Sequence, residues 1–151
     1  MRILLADAQP HIRSALQFLL KYEQDVFVVG EASDAKSLLA QIDATQPDAI
    51  LLDWELPGLG AMGSLDALRV DYPHLLVIVL SGRPESHQEI LAAGADALVY
   101  KVDPPERLLD TLETINLKHK IKKSITGNQM ERGKLNYQCV EPVQKRKGIS
   151  A

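Results

Sequence analysis

Ala49-Ile50-Leu51-Leu52-Asp53-Trp54-Glu55-Leu56-Pro57-Gly58 is an apolar run that stops at a carboxylate and then breaks into a Pro-Gly turn. A short, uninterrupted apolar stretch bounded by turn residues reads as a strand buried on both faces, the kind found in parallel sheets. Three other stretches share the pattern: Ile3-Leu4-Leu5-Ala6 before Asp7, Val77-Ile78-Val79-Leu80 before Ser81, and Leu98-Val99-Tyr100 before Lys101. If these are parallel strands, a carboxylate pair, a hydroxyl and an ammonium emerge along one edge of one sheet. That edge is where open α/β folds bind ligands.

Helical periods fill the gaps between the strands. Ile12, Ala15, Leu16, Leu19 and Leu20 recur at helical spacing behind Pro10, which suits a first turn. Val26 to Val29 reads as a second strand. Ser33 is the expected cap of a helix with Ala35, Leu38, Leu39 and Ile42 on its apolar face, ended by Pro47. Leu65 and Leu68 mark a third helix, Pro84 opens a fourth that stops at Gly94, and Ala97 to Tyr100 is a fifth strand. Pro104-Pro105 starts the last helix, with Leu108, Leu109, Leu112 and Ile115 inward. This (βα)5 order implies a parallel sheet between helices, because parallel strands need crossover connections.

Charge is unevenly distributed. Residues 118–151 carry nine Lys/Arg against Glu131 and Glu141, whereas residues 1–117 have a balance of −10. The shift near Lys118 is the expected boundary between a 1–117 domain and a basic extension, 118–151, comprising the end of the last helix and a linker or tail. That extension has no Phe, Trp or Tyr beyond Tyr137 and is short for a helix-turn-helix module, so no nucleic-acid contact is expected within this chain. A lone Cys139 allows no internal disulfide and suits the cytoplasm, and no apolar run reaches membrane-spanning length. His11, His74, His87 and His119 lack ligand spacing.

Leu5-Ala6-Asp7, Leu51-Leu52-Asp53-Trp54-Glu55-Leu56-Pro57-Gly58, Leu80-Ser81-Gly82, Gly94-Ala95-Asp96-Ala97 and Tyr100-Lys101, in this order, resemble a response-regulator receiver domain over about the first 117 residues. The opening Ala6 to Pro10 and the segment Lys101 to Glu106 are most similar to receivers that precede helix-turn-helix output domains. The resemblance implies a flavodoxin-like sheet of order 2-1-3-4-5 and a two-component switch rather than a turnover enzyme. A histidine kinase would phosphorylate Asp53, Lys101 and Ser81 would contact the phosphoryl oxygens, and Asp7, Asp53 and Glu55 would hold Mg²⁺. The implied partners are that kinase and a downstream protein or output domain, with room for a homodimer and no membrane.

The chain also departs from the family pattern. Receivers usually place two acids after the first strand, and here the second position is Ala8. Loss of an anionic ligand weakens binding of a hard cation. Either the Glu55 carboxylate substitutes, or the chain is a pseudo-receiver, an interaction module that is not phosphorylated. Leu98 stands three before Lys101, where receivers often carry an aromatic switch residue. A phosphohydrolase of the haloacid-dehalogenase type is disfavoured because its nucleophile follows the first strand. The Asp7-Ala8-Gln9-Pro10 turn also lacks the Ser/Thr/Gly-rich loop of a flavin carrier.

Overall fold

The computed structural model describes residues 1–62 and 65–135. Among them lie five strands, β1 (Arg2–Ala6), β2 (Phe27–Ala32), β3 (Ala49–Asp53), β4 (Leu76–Ser81) and β5 (Ala97–Tyr100). They alternate with helices α1 (Pro10–Leu20), α2 (Ala35–Thr45), α3 (Leu65–Asp71), α4 (His87–Ala92) and α5 (Pro105–Leu135). Every strand pair is parallel, and the order is β2-β1-β3-β4-β5, as expected. All five residues of β3 are buried, which explains why its sequence shows no polar alternation.

Two compact units divide the chain, Met1–Thr111 and Leu112–Ala151. In the first, the period of two sends Leu4, Ala6, Ile50, Leu52, Val77 and Val79 to one face of the sheet, where they pack with Leu38 and Ile42 of α2, Leu68 of α3 and Ile90 of α4. Ile3, Leu5, Leu51 and Ile78 are buried on the opposite face. The described residues of the second unit belong to α5, a single helix from Pro105 to Leu135, so the composition shift at Lys118 falls inside an element. Within that unit Leu112 and Ile115 are buried, and Leu117, Ile121 and Ile125 are exposed. Tyr137 and Cys139 lie outside the described residues.

Local chemistry moved several boundaries. Asp34, not Ser33, caps α2: its side chain accepts from the Ser37 backbone N–H (2.7 Å), while the Ser37 hydroxyl accepts from the Asp34 N–H (3.2 Å). That reciprocal box needs partners three apart, a spacing Ser33 does not have with Ser37. β2 begins and ends later than Val26 to Val29, because its ladder follows β1 out to Ala32. Pro84 opens a short 3-10 turn, Pro84–Ser86, before α4. Leu39 is exposed although Leu38 is buried, since adjacent helical residues point about 100° apart. Ala15 is also exposed on α1.

Tyr72, just after α3, donates its hydroxyl to the Asp43 carboxylate of α2. That bond, with burial and the neighbouring negative charges, raises the Tyr72 pKa from 10.0 to about 12. The phenol is protonated in the folded chain at pH values where the unfolded chain has lost its proton. Its contribution is therefore complete below pH 10 and is lost as pH rises from about 10 to about 12. Urea midpoints measured across that window should fall more for the wild type than for Tyr72→Phe; parallel curves would remove this bond from the alkaline response.

Candidate functional site

Parallel register carries the ends of four strands to a common edge. Ala6 is level with Leu52, Asp53 with Leu80, and Ser81 with Tyr100. Beyond the strands, the Asp7 N–H donates to Ala32 O (3.0 Å), the Trp54 N–H to Leu80 O (3.0 Å), and the Lys101 N–H to Ser81 O (2.8 Å). These bonds prolong the ladders by one residue and hold the polar side chains level.

Three of the expected groups meet. The Lys101 ammonium lies 3.2 Å from Asp7 Oδ2 and 3.2 Å from Asp53 Oδ1. Both carboxylates are buried, with residue exposures of 1% and 7%. Burial by itself lowers the Lys101 pKa. The charges of Asp53 and then Asp7, with hydrogen bonds to both, outweigh it and raise the pKa above the ordinary 10.5. The ammonium is thus held charged between two buried carboxylates, leaving the trio one negative charge in excess.

Backbone donors add to the hold on both carboxylates. Asp7 Oδ1 accepts the Gln9 N–H (2.8 Å), which shapes the turn into α1, and Arg13 of α1 donates to the Asp7 carbonyl (2.6 Å) while pairing with Glu31 of β2 (2.7 Å). Asp53 Oδ1 also accepts the Glu55 N–H (3.1 Å).

Ser81 and Glu55 are placed differently. Ser81 is buried on the same edge, yet its hydroxyl accepts from the Arg83 N–H (3.0 Å) and donates to the Arg83 carbonyl (3.2 Å). The Glu55 carboxylate pairs with the Arg83 guanidinium at 2.6 Å, both side chains being more than half exposed. Arg83, which sequence reasoning missed, therefore ties the loop after β4 to the loop after β3. Its only sequence signal is its position two residues after Ser81. Leu98 packs against the core, and the Tyr100 hydroxyl meets His87 Nδ1 at 2.8 Å, so these neighbours on one strand face do different work. Trp54 lines an open hollow of about 530 Å³ with Leu56, Leu59, Asp66 and Glu89.

Among the described residues no group of three or more His, Cys, Asp or Glu side chains is gathered to hold a metal. Asp7 and Asp53 nonetheless supply two converging carboxylates. That is the modest donor set by which Mg²⁺ is held when waters and phosphate oxygens complete its shell.

The response regulator receiver domain family matches residues 3–113 of this sequence. The chain belongs to that family. It is similar to the nitrate/nitrite response regulator protein NarL of Escherichia coli K12, 35% identical over 112 residues that make up 73% of this chain and 52% of NarL. The chain spans about half the length of the curated relatives it matches. A LuxR-family two-component response regulator from Aurantimonas is 27% identical with a TM-score of 0.67, covering 76% of this chain and 83% of that one. The isolated receiver domain of RcsB from Salmonella enterica, determined with a beryllofluoride phosphomimetic, shares the fold at a TM-score of 0.70 and 22% identity, covering 77% and 88%. No helix among the described residues is long and apolar enough to cross a membrane.

Proposed function

We propose that this receiver domain is a phosphorylation switch in which Asp53 accepts a phosphoryl group from a histidine kinase. The observation that carries the reading is the Lys101 ammonium 3.2 Å from both Asp53 and Asp7. A carboxylate attacks a phosphoryl group only when the negative oxygens around it are neutralised. One Asp53 oxygen forms a bond to phosphorus as the bond from phosphorus to the kinase imidazole breaks, giving an acyl phosphate. Lys101 stays charged throughout and meets an incoming oxygen without reorganisation. Asp7 holds Lys101 in place from the far side. Ser81 reaches a phosphoryl oxygen only by giving up its bonds to Arg83, so phosphorylation tugs the loop that leads to α4.

Asp7 and Asp53 are the residues that would hold Mg²⁺, with the Glu55 carbonyl as a further oxygen. The ion neutralises phosphoryl oxygens when bound. The Glu55 carboxylate can compensate for Ala8 only after leaving Arg83. A Mg²⁺ titration followed by Trp54 fluorescence should therefore show an affinity for Glu55→Ala within roughly twofold of wild type, and a loss of about tenfold would make that carboxylate a ligand. Arg83→Ala, which frees it, is the companion variant.

The expected partners are the kinase and a downstream protein or output domain, in a cytoplasmic setting. The pseudo-receiver reading is favoured by Ala8 alone. Intact-mass analysis after incubation with acetyl phosphate and Mg²⁺ decides between them: an adduct on wild type that is absent from Asp53→Asn supports the switch, and no adduct on either supports the interaction module.

A further inference from the structure

The turn from β1 into α1 is Asp7-Ala8-Gln9, and α1 begins with little help from its own end: Gln9, the cap, makes no side-chain bond, and the first turn carries no acid. Arg13, one turn into the helix, reaches back instead. Its Nη1 donates to the Asp7 carbonyl (2.6 Å) and its Nε to the Glu31 carboxylate of β2 (2.7 Å), with the Arg13 side chain only 17% exposed. Glu31 is level with Leu5 across the β1–β2 ladder, so the fork spans two strands. The Asp7 N–H meanwhile donates to Ala32 O of β2 (3.0 Å). Both peptide groups of Asp7 are thus tied to β2, one directly and one through Arg13. Its Oδ1 accepts the Gln9 N–H and its Oδ2 meets Lys101, so every polar atom of this buried residue has a partner.

We infer that Arg13, held by Glu31, is a positioning residue that fixes Asp7 for a divalent cation and offsets with rigidity part of the charge the turn lacks at Ala8. Affinity for a hard cation depends on how many charged oxygens surround it and on how rigidly they are held. The first quantity is low here, and the second is what Arg13 supplies. A guanidinium suits the task because its planar fork serves two acceptors on different elements at once, whereas an ammonium is a point charge on a flexible stem. Arg13 and Glu31 cancel in charge, so the pair acts through geometry rather than through the field at the site. The cation role rests on the phosphorylation reading; the brace on Asp7 does not.

A Mg²⁺ titration followed by Trp54 fluorescence, with no phosphoryl donor, separates geometry from charge by sign. Arg13→Met should weaken binding by about tenfold, the usual effect of losing a group that orients a metal-binding side chain. Charge alone predicts the reverse, because removing a nearby cation favours another. Arg13→Lys keeps the charge and loses the fork, so it should weaken binding by about threefold, and it carries the test should methionine unsettle the fold. Glu31→Gln removes a negative charge but keeps an oxygen for Nε, and should stay within roughly twofold of wild type. In metal-free protein, amide hydrogen exchange at Gln9 should quicken at least about tenfold in Arg13→Met while the Leu51 amide of β3 is unchanged, a local loosening rather than a global one. Unchanged or tighter Mg²⁺ binding by Arg13→Met and Arg13→Lys overturns the positioning role, and unchanged Gln9 exchange overturns the brace. A wild type that binds no Mg²⁺ overturns the phosphorylation reading and the cation role with it, while Gln9 exchange still decides the brace, so the two failures are told apart.

Discussion

Incubated with acetyl phosphate and Mg²⁺, the wild-type chain should gain one phosphoryl group by intact mass, and Asp53→Asn should gain none. The amide of asparagine has the shape of the carboxylate but no anionic oxygen to attack phosphorus, so the loss is complete rather than partial. The fold should survive the change. Asp53 is buried beside an ammonium that has a second carboxylate, Asp7, also at 3.2 Å, so removing one negative charge leaves Lys101 paired. Matching thermal melts for the two proteins make a missing adduct a statement about chemistry. Asp7→Asn separates the roles further: it keeps the acceptor, so it should label more slowly than wild type and faster than Asp53→Asn. Full labelling of Asp53→Asn would place the acceptor elsewhere and remove the basis of the switch.

Lys101→Met should slow labelling by about 100-fold or more, the usual effect of losing a preorganised charge at a phosphoryl or oxyanion site. It should also destabilise the fold at neutral pH. Methionine keeps most of the aliphatic stem but leaves two buried carboxylates facing each other with no cation between them. Breaking a buried pair costs about 3–5 kcal/mol, and the partial exposure of the lysine side chain reduces this to about 1–3 kcal/mol. Lys101 binds its proton more tightly in the folded chain. Its contribution is complete below 10.5 and fades as pH climbs through the raised value. Urea unfolding of both proteins from neutral to alkaline pH tests this, and equal stability at pH 7 would show that the ammonium does not hold the pair together.

Much of this architecture was legible because it is local. Asp7, Asp53, Ser81 and Lys101 each close an apolar run, and once the runs are parallel strands the polar residues have to share an edge, as the register of β1, β3, β4 and β5 shows. Boundaries were less legible where two local signals competed. Ser33 and Asp34 are both good caps, and only the reciprocal bond with Ser37 selects Asp34. The charge shift at Lys118 falls where the backbone of α5 continues, in keeping with an extension that opens on the end of the last helix, since a row of lysines does not interrupt a helix. Arg83 was invisible because nothing in its neighbours announces that the loops after β3 and β4 stand within an ion pair of each other.

The amino-acid order alone determined the alternation of five strands and five helices, the parallel sheet, and the identity of the groups along its edge, because periodicity and turn chemistry act between residues a few positions apart. Only the tertiary structure decided which charges meet. It put one ammonium between Asp7 and Asp53, gave the Glu55 carboxylate to Arg83, turned the Ser81 hydroxyl into its own loop, and left Phe18 and Phe27 facing water together. Those outcomes depend on distances between residues tens of positions apart, and a few ångströms of side-chain placement separate an ion pair from a solvated charge.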